Sequence, residues 1–497
     1  MPKITRRSAI KWTLSGAAMA ALRPETLLGA DDKQQLADVP VDKPYKFTLE
    51  PAGKVRPVPS RSIASSPLSV GFETLDRKMF QPERTYQHLA RLGVKWARVQ
   101  TGWARTEQTR GKYDFAWLDA VVDSLREIGV QPWFNLGYGN QLYTPKAPDK
   151  SAVGWAPVFD AEAMEGWVRY TQAIAEHFRD RVRHWEIWNE PNISGFWKPN
   201  KPSAADYVKL VKQTAPEIRK RVDGAVIVGG ALAGMPTKYL EQCMEAGMGD
   251  YVDRISYHPY RPVPEKNYEP TVAAWRELLA RYKPGIKLWQ GENGCPSQPG
   301  SVGALRQYAW NETRQAKWLL RRILTDLRLG IELTSYFHLV DLMDYNWGSG
   351  PSGKNNYKGL LRGTDYTPKE SFHAYQCLSA LFDSKTRTSE VNPELVSIEG
   401  LAEHRVKYLR CGSFVRGGRA IYAYWFPATL QEGWTPCKLS AKVATPPDAS
   451  IEKPLLVDPL TSRVYRLAGK ASEGTLAVDN LPLLDYPLLV TDAAVVA

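Results

Sequence analysis

His184-Trp185-Glu186-Ile187-Trp188-Asn189-Glu190-Pro191-Asn192 changes character halfway along. The first half reads as a short buried strand over 184–188. The second half is polar and interrupted by proline, as a loop leaving that strand would be. Upstream, Met164, Trp167, Val168 and Ile174 recur at helical spacing; downstream, Ser203 and Asp206 resemble a capping box ahead of Tyr207 and Val211. Helix, strand, loop, helix is therefore the local order, and it repeats outward in both directions. Strands are expected at 68–72, 96–100, 131–136, 184–188, 226–230, 254–257, 287–290 and 333–337. Between them lie helical patterns such as Leu118, Val121, Val122, Leu125 and Ile128, and a long amphipathic stretch from 310 to 327. Eight alternations over about 310 residues favour an α/β fold of the (β/α)8 TIM-barrel type over an open doubly wound sheet. The first strand is not followed by GxGxxG, which weakens a dinucleotide-binding reading further.

The rhythm changes near 381. Short β-like runs at 406–409, 420–425, 455–457 and 488–490 are separated by Gly, Pro and Asp, so a smaller C-terminal β-sandwich is expected over 381–497. The Pro-punctuated segment 31–65 precedes a barrel expected over 66–380 and is expected to add a strand to that sandwich. Residues 1–30 read as an address. Thr5-Arg6-Arg7-Ser8-Ala9-Ile10-Lys11 precedes a moderately apolar stretch from 12 to 22, the order of a bacterial twin-arginine export signal. The expected location is periplasmic or extracellular. No later segment is apolar enough over ~18 residues to span a membrane.

With 24% charged and 43% hydrophobic residues among 497, the chain is not disordered, collagen-like or a coiled coil as a whole. Seventeen Trp and 24 Tyr against 13 Phe are an excess of rings with polar edges, which suits amphipathic ligands such as carbohydrates as well as large cores. The net charge of +12 is scattered among 53 acids and reads as a solvated surface, with no nucleic-acid partner expected. Five cysteines and seven histidines show neither CxxC nor HExxH spacing, so no zinc site or disulfide framework is expected; one pair in the C-terminal part is left open.

In a barrel of this type, function sits where strands give way to βα loops. The fourth strand ends in Asn189-Glu190 and the seventh in Gly291-Glu292-Asn293, so each brings a carboxylate to the rim. Trp188-Asn189-Glu190-Pro191, together with Glu292, resembles the clan A glycoside hydrolases, retaining enzymes on (β/α)8 barrels, over most of 66–380. Arg98 ends the second strand as that clan's active-site arginine does. His258-Pro259-Tyr260 is similar to its His-x-Tyr pattern, and Gly111-Lys112-Tyr113-Asp114-Phe115 with Leu118-Asp119 resembles the loop and helix after strand two. Within the clan, the flanking sandwich and the string from Trp185 to Pro191 look most like glycoside hydrolase family 39, although Gly291 stands where Thr is usual.

The resemblance implies Glu190 as general acid/base, Glu292 as nucleophile supported by Arg98 and Tyr260, and Asn189 on the substrate 2-hydroxyl. It also implies double displacement on oligo- or polysaccharides without metal or organic cofactor. Glu186, of the same strand parity as Glu190, is expected to face Arg98 inside the barrel. His258 is weighed equally as a substrate contact and as a structural hydrogen bond. Trp103, Tyr138, Asn140, Trp197, Tyr336, His338, Tyr345 and Trp347 are candidate sugar-stacking or binding residues near the rim. The segment 341–362 reads as a cleft-shaping loop. Two other readings stay open: a hydrolase of uronide or sulfated glycans, and a non-catalytic carbohydrate-binding protein. Oligomeric state is left open.

Overall fold

The computed structural model describes residues 43–346, 352–391, 394–472 and 475–496. The expected export signal and Trp347 lie outside the described residues. The chain divides into two units, Pro57–Ser384 and a second one built from the preceding segment together with residues 385 onward.

The first unit is a closed parallel barrel: β2 (Leu68–Gly71), β3 (Trp96–Gln100), β4 (Gln131–Leu136), β5 (His184–Ile187), β6 (Val226–Ala233), β7 (Arg254–His258), β8 (Lys287–Gln290) and β9 (Leu333–Tyr336). They pair in sequence order, and β9 closes on β2 through Leu68, Ser69 and Val70. The helices between them bury the faces that their spacing marks. In the helix Ala116–Glu127 these are Leu118, Val121, Val122 and Leu125. Asp160, Ser203 and Asn311 cap their helices, each accepting a backbone N–H three residues on.

Side chains alternate along the strands, and this places two different layers inside the barrel. The floor is apolar: Trp133, Val228, Trp289 and Leu333, with Trp96 packed against them. Trp133 and Trp289 meet edge to face, centroids 5.2 Å apart. Two residues further along β3, β4 and β5 come Arg98, Asn135 and Glu186, all buried. The aromatic floor excludes water from beneath this polar layer, so its polar atoms depend on neighbouring side chains for partners.

β6 is longer than the expected 226–230 and carries an irregularity between Gly229 and Leu232 in its pairing with β7. That bulge turns the Ala231 carbonyl toward the end of β5, where it accepts the Glu190 N–H at 2.8 Å.

The second unit contains antiparallel sheets of seven and four strands. β1 (Pro51–Lys54) pairs with Arg463–Arg466 at the edge of the larger one. The expected strand at 406–409 is corrected: Glu403–Tyr408 is a 3-10 turn with no buried residue. An apolar pair at 406 and 409 is compatible with either state, and nothing buries it into a ladder.

Candidate active site

β5 ends in a sharp turn. Trp188 and Glu190 both take positive φ, 68° and 49°, a conformation that costs roughly 1–3 kcal/mol per non-glycine residue. Three contacts hold it: the bond from Glu190 N–H to Ala231, and two from Asn192, whose amide donates to Ala233 O and accepts from Ala233 N, each at 2.9 Å. The turn aims Asn189 and Glu190 across the barrel mouth at the residue that follows β8, Glu292.

Arg98 organises the space between. Its Nε and Nη2 donate to Glu186 Oε2 at 2.8 and 2.5 Å, Nη2 also to Asn189 Oδ1 at 2.8 Å, and Nη1 to Glu292 Oε2 at 2.8 Å and Glu73 Oε1 at 3.1 Å. Burial opposes the Arg98 charge, but the surrounding carboxyl groups, Glu186 foremost, more than offset it, and the guanidinium stays charged. Asn135 donates to Glu186 Oε2 at 2.9 Å and to the Trp188 carbonyl at 2.6 Å, tying β4 to the turn.

The other oxygen of Glu292 accepts from Tyr260 Oη at 2.8 Å. Burial raises the Tyr260 hydroxyl well above its ordinary range, so it remains a donor. His258 Nδ1 lies 3.0 Å from Glu190 Oε1 and 3.8 Å from Glu292 Oε2, and burial brings this histidine down to about 4, a neutral imidazole. Facing oxygens of Glu190 and Glu292 and this nitrogen all fall within 4.8 Å of one another. The same three donor types serve as metal ligands elsewhere, yet here Arg98 and Tyr260 already donate into both oxygens of Glu292, an arrangement made for a bare carboxylate. Burial pushes Glu190 up to about 7, with Arg98 opposing. The two carboxyls are thus unlike: one holds a proton near neutrality, the other is clamped by two donors.

The structure brings Arg98, Asn189, Glu190, His258, Tyr260 and Glu292 together. Tyr138 and Tyr345 lie close enough to feel the charge of both Glu190 and Glu292, and Arg77 stands beside them, 5.8 Å from the Tyr138 ring. Four other candidates are corrected. Trp103 is wholly buried, stacked on Tyr143 and Tyr170, with Nε1 on Glu107. Asn140 is consumed by loop backbone, donating to Glu107 O in the loop after β3 and accepting from Leu142 N in its own. Tyr336 is buried with its hydroxyl on Cys295 O. Trp197 is likewise packed in the interior, beside Trp188 and Tyr207. Rings with polar edges serve cores as readily as clefts, and neighbouring loops decided between the two.

Two residues of the cluster escaped sequence reasoning. Asn135 shares strand parity with its paired neighbours, a signal that was available. Glu73 follows the first barrel strand as Glu292 follows the seventh, the same rule applied one strand end further.

Residues 79–284 match the family model of glycosyl hydrolases family 39, a span that holds Arg98, Asn189, Glu190, His258 and Tyr260 and stops short of Glu292. A β-xylosidase of Geobacillus stearothermophilus is 30% identical over 164 residues, 30% of this chain and 31% of that protein. A β-xylosidase of Caldicellulosiruptor saccharolyticus is 25% identical over 304 residues, 54% of this chain and 57% of that protein. The chain therefore spans less than two thirds of the length of either relative. A solved family 39 glycoside hydrolase from Bacteroides cellulosilyticus superposes with a TM-score of 0.61 at 18% identity, covering 86% of this chain and 80% of that one, a likeness of fold. Residues 79–284 are thus similar in sequence to family 39 glycosyl hydrolases, and the barrel that holds them is similar in fold to a solved member of that family.

Proposed function

We propose that this protein is a retaining β-glycosidase acting by double displacement on oligo- or polysaccharides, with β-xylosides the first substrates to try. One observation carries the reading: facing oxygens of Glu190 and Glu292 within 4.8 Å, on the retaining side of the roughly 5–5.5 Å against 6.5–9.5 Å that separates the two stereochemical classes. The two β-xylosidase relatives support the choice of sugar.

Glu190 protonates the glycosidic oxygen as Glu292 attacks the anomeric carbon. Glu190, now a carboxylate, then takes a proton from the water that hydrolyses the glycosyl-enzyme. Arg98 and Tyr260 orient Glu292 and donate to both of its oxygens. Asn189 gives its carbonyl oxygen to Arg98, which leaves its NH2 for the 2-hydroxyl, a contact that strengthens in an oxocarbenium-like transition state. A sugar binder without catalysis has no need of two facing carboxyls, one holding a proton near neutrality and the other clamped by Arg98 and Tyr260. Export through the twin-arginine pathway is part of the proposal, supported by Arg6-Arg7 and the apolar stretch behind them.

Glu190→Gln and Glu292→Gln should each lower kcat on an aryl β-xyloside by roughly a thousandfold or more with the fold intact. A 2-fluoro glycosyl reagent should label Glu292, and early product should keep its anomeric configuration. Near-normal turnover in either variant sinks the assignment.

A further inference from the structure

We propose that Glu73 is a positioning residue for the nucleophile: a neutral carboxylic acid that shares Arg98 with Glu292 and, by keeping its proton, leaves that guanidinium to Glu292. The inference rests on the glycosidase reading above.

The geometry is a shared donor. Arg98 Nη1 reaches Glu292 Oε2 at 2.8 Å and Glu73 Oε1 at 3.1 Å. Glu73 is 3% exposed, and its carboxyl occupies space that Gly71 leaves: a Cβ at 71 would fall 2.3 Å from Glu73 Oε2. Around Arg98 stand the carboxyls of Glu73, Glu186 and Glu292, with Glu190 beyond His258. The other groups facing Glu73 add no positive charge: Tyr260 and Tyr345 are raised phenols, and His338, like His258, is held near 4 by burial. Nearby Arg77 turns to Asp76 and Gln100 instead. Four carboxyls crowd one guanidinium, and Glu73 and Glu186 are buried, where a charge that Arg98 does not match would lack both water and a partner. Glu190 needs a proton for its chemistry, and Glu73 is the second carboxyl placed to hold one. Burial, opposed by Arg98 and reinforced by Glu292, pushes it up to about 8.

His338 gives this proton a signature. Its Nδ1 lies 3.0 Å from Val340 O and 3.2 Å from Val340 N, while Nε2 lies 3.3 Å from Glu73 O and 3.7 Å from Glu73 Oε2. Glu73 Oε2 itself has no hydrogen-bond partner among the described residues. With Glu73 protonated, Oε2–H faces Nε2 as acceptor, and Nδ1–H donates to Val340 O. When one proton leaves to solvent, the imidazole stays neutral but changes tautomer: Nε2–H turns to Glu73, and Nδ1 accepts from Val340 N.

Two readouts test this on the full chain. On an aryl β-xyloside near pH 6, Glu73→Ala should lose about a hundredfold in kcat, whereas Glu73→Gln, a neutral mimic of the acid, should recover to within about tenfold of wild type. Gln falling as far as Ala would mean an ionised Glu73 is required, and Ala matching wild type would mean no positioning role; either overturns the proposal. Histidine-selective nitrogen-15 NMR, with His338 assigned by substitution, needs no activity. The wild type should pass from the Nδ1–H to the Nε2–H tautomer as pH rises through about 8, and Glu73→Gln should not. One unchanging tautomer in the wild type overturns the proposal. A tautomer shift that persists while Glu190→Gln still hydrolyses substrate would instead overturn the glycosidase reading.

Discussion

Glycine at 291, immediately before Glu292, is explained by its neighbour on the adjacent strand. A Cβ there would lie 2.2 Å from Ser256 Oγ and 3.4 Å from Glu186 Oε1. Ser256 and the missing side chain at 291 therefore compete for one small volume, and this chain fills it from β7. Gly291→Ala should destabilise by about 1–2 kcal/mol, because Ser256 must leave its rotamer inside a packed barrel. Adding Ser256→Ala should recover most of that. The check is a double-mutant cycle by urea unfolding, and additive costs would show that the two positions do not share space. A second residue-scale expectation concerns Glu190. Its carboxyl must be protonated to begin the reaction, and burial holds that proton up to about pH 7. Above that value kcat/KM should fall as the acid is lost. In Glu190→Gln the residual rate, measured with an activated aryl leaving group that needs no protonation, should lose this alkaline limb.

At the scale of elements, the loop after β3 is built around one buried carboxylate. Glu107 accepts from Trp103 Nε1 at 2.6 Å, from Gly111 N at 2.6 Å and from Tyr143 Oη at 2.7 Å. Glu107→Ala strands two buried donors, Trp103 Nε1 and Tyr143 Oη, and should lower stability by roughly 2–4 kcal/mol, read as a fall in thermal midpoint. A change under about 1 kcal/mol would show that the loop repacks around other acceptors. This loop also marks where sequence reading stops. Strands such as 96–100 and 131–136 were legible because a barrel strand is buried on both faces and leaves a continuous apolar run between turn signals. Helices were legible by the spacing of residues such as Leu118, Val121 and Leu125. Trp188-Asn189-Glu190-Pro191 was legible as a rim element because polar residues follow an apolar strand. The destinations of Trp103 and Asn140 were not, because they depend on Glu107, a loop residue with no periodicity to announce it. The bulge in β6 was equally silent, being a matter of register between two strands rather than of either strand's composition.

Across the whole molecule, the buried carboxyls and the net charge act in opposite directions as pH changes. Glu190 and Glu73 in the barrel unit are raised to about 7 and about 8, and Asp458 in the other unit to about 6, in each case mainly by burial. A carboxyl raised in the folded state binds its proton more tightly there than when unfolded. The stability it contributes is complete below the ordinary carboxylate value and is lost as pH climbs through the raised one. For Glu190 the window runs from about 4.5 to about 7, and for Glu73 from about 4.5 to about 8. The opposite case, Glu217, is lowered to about 2 chiefly by its bond to Lys220, and its contribution disappears only in strong acid. A chain of net charge +12 relieves self-repulsion as pH rises, which favours the folded state and partly masks the carboxyls. A bare pH profile would therefore mix the two effects, and subtraction separates them. Between about pH 5 and pH 9 the wild type should lose about 6 kcal/mol, at ~1.4 kcal/mol per pH unit and carboxyl, relative to a Glu73→Gln, Glu190→Gln double variant, whose amides do not titrate while the surface charge is the same. Urea unfolding at the two pH values measures this difference, and parallel profiles for the two proteins would mean that neither carboxyl carries its proton into the folded barrel.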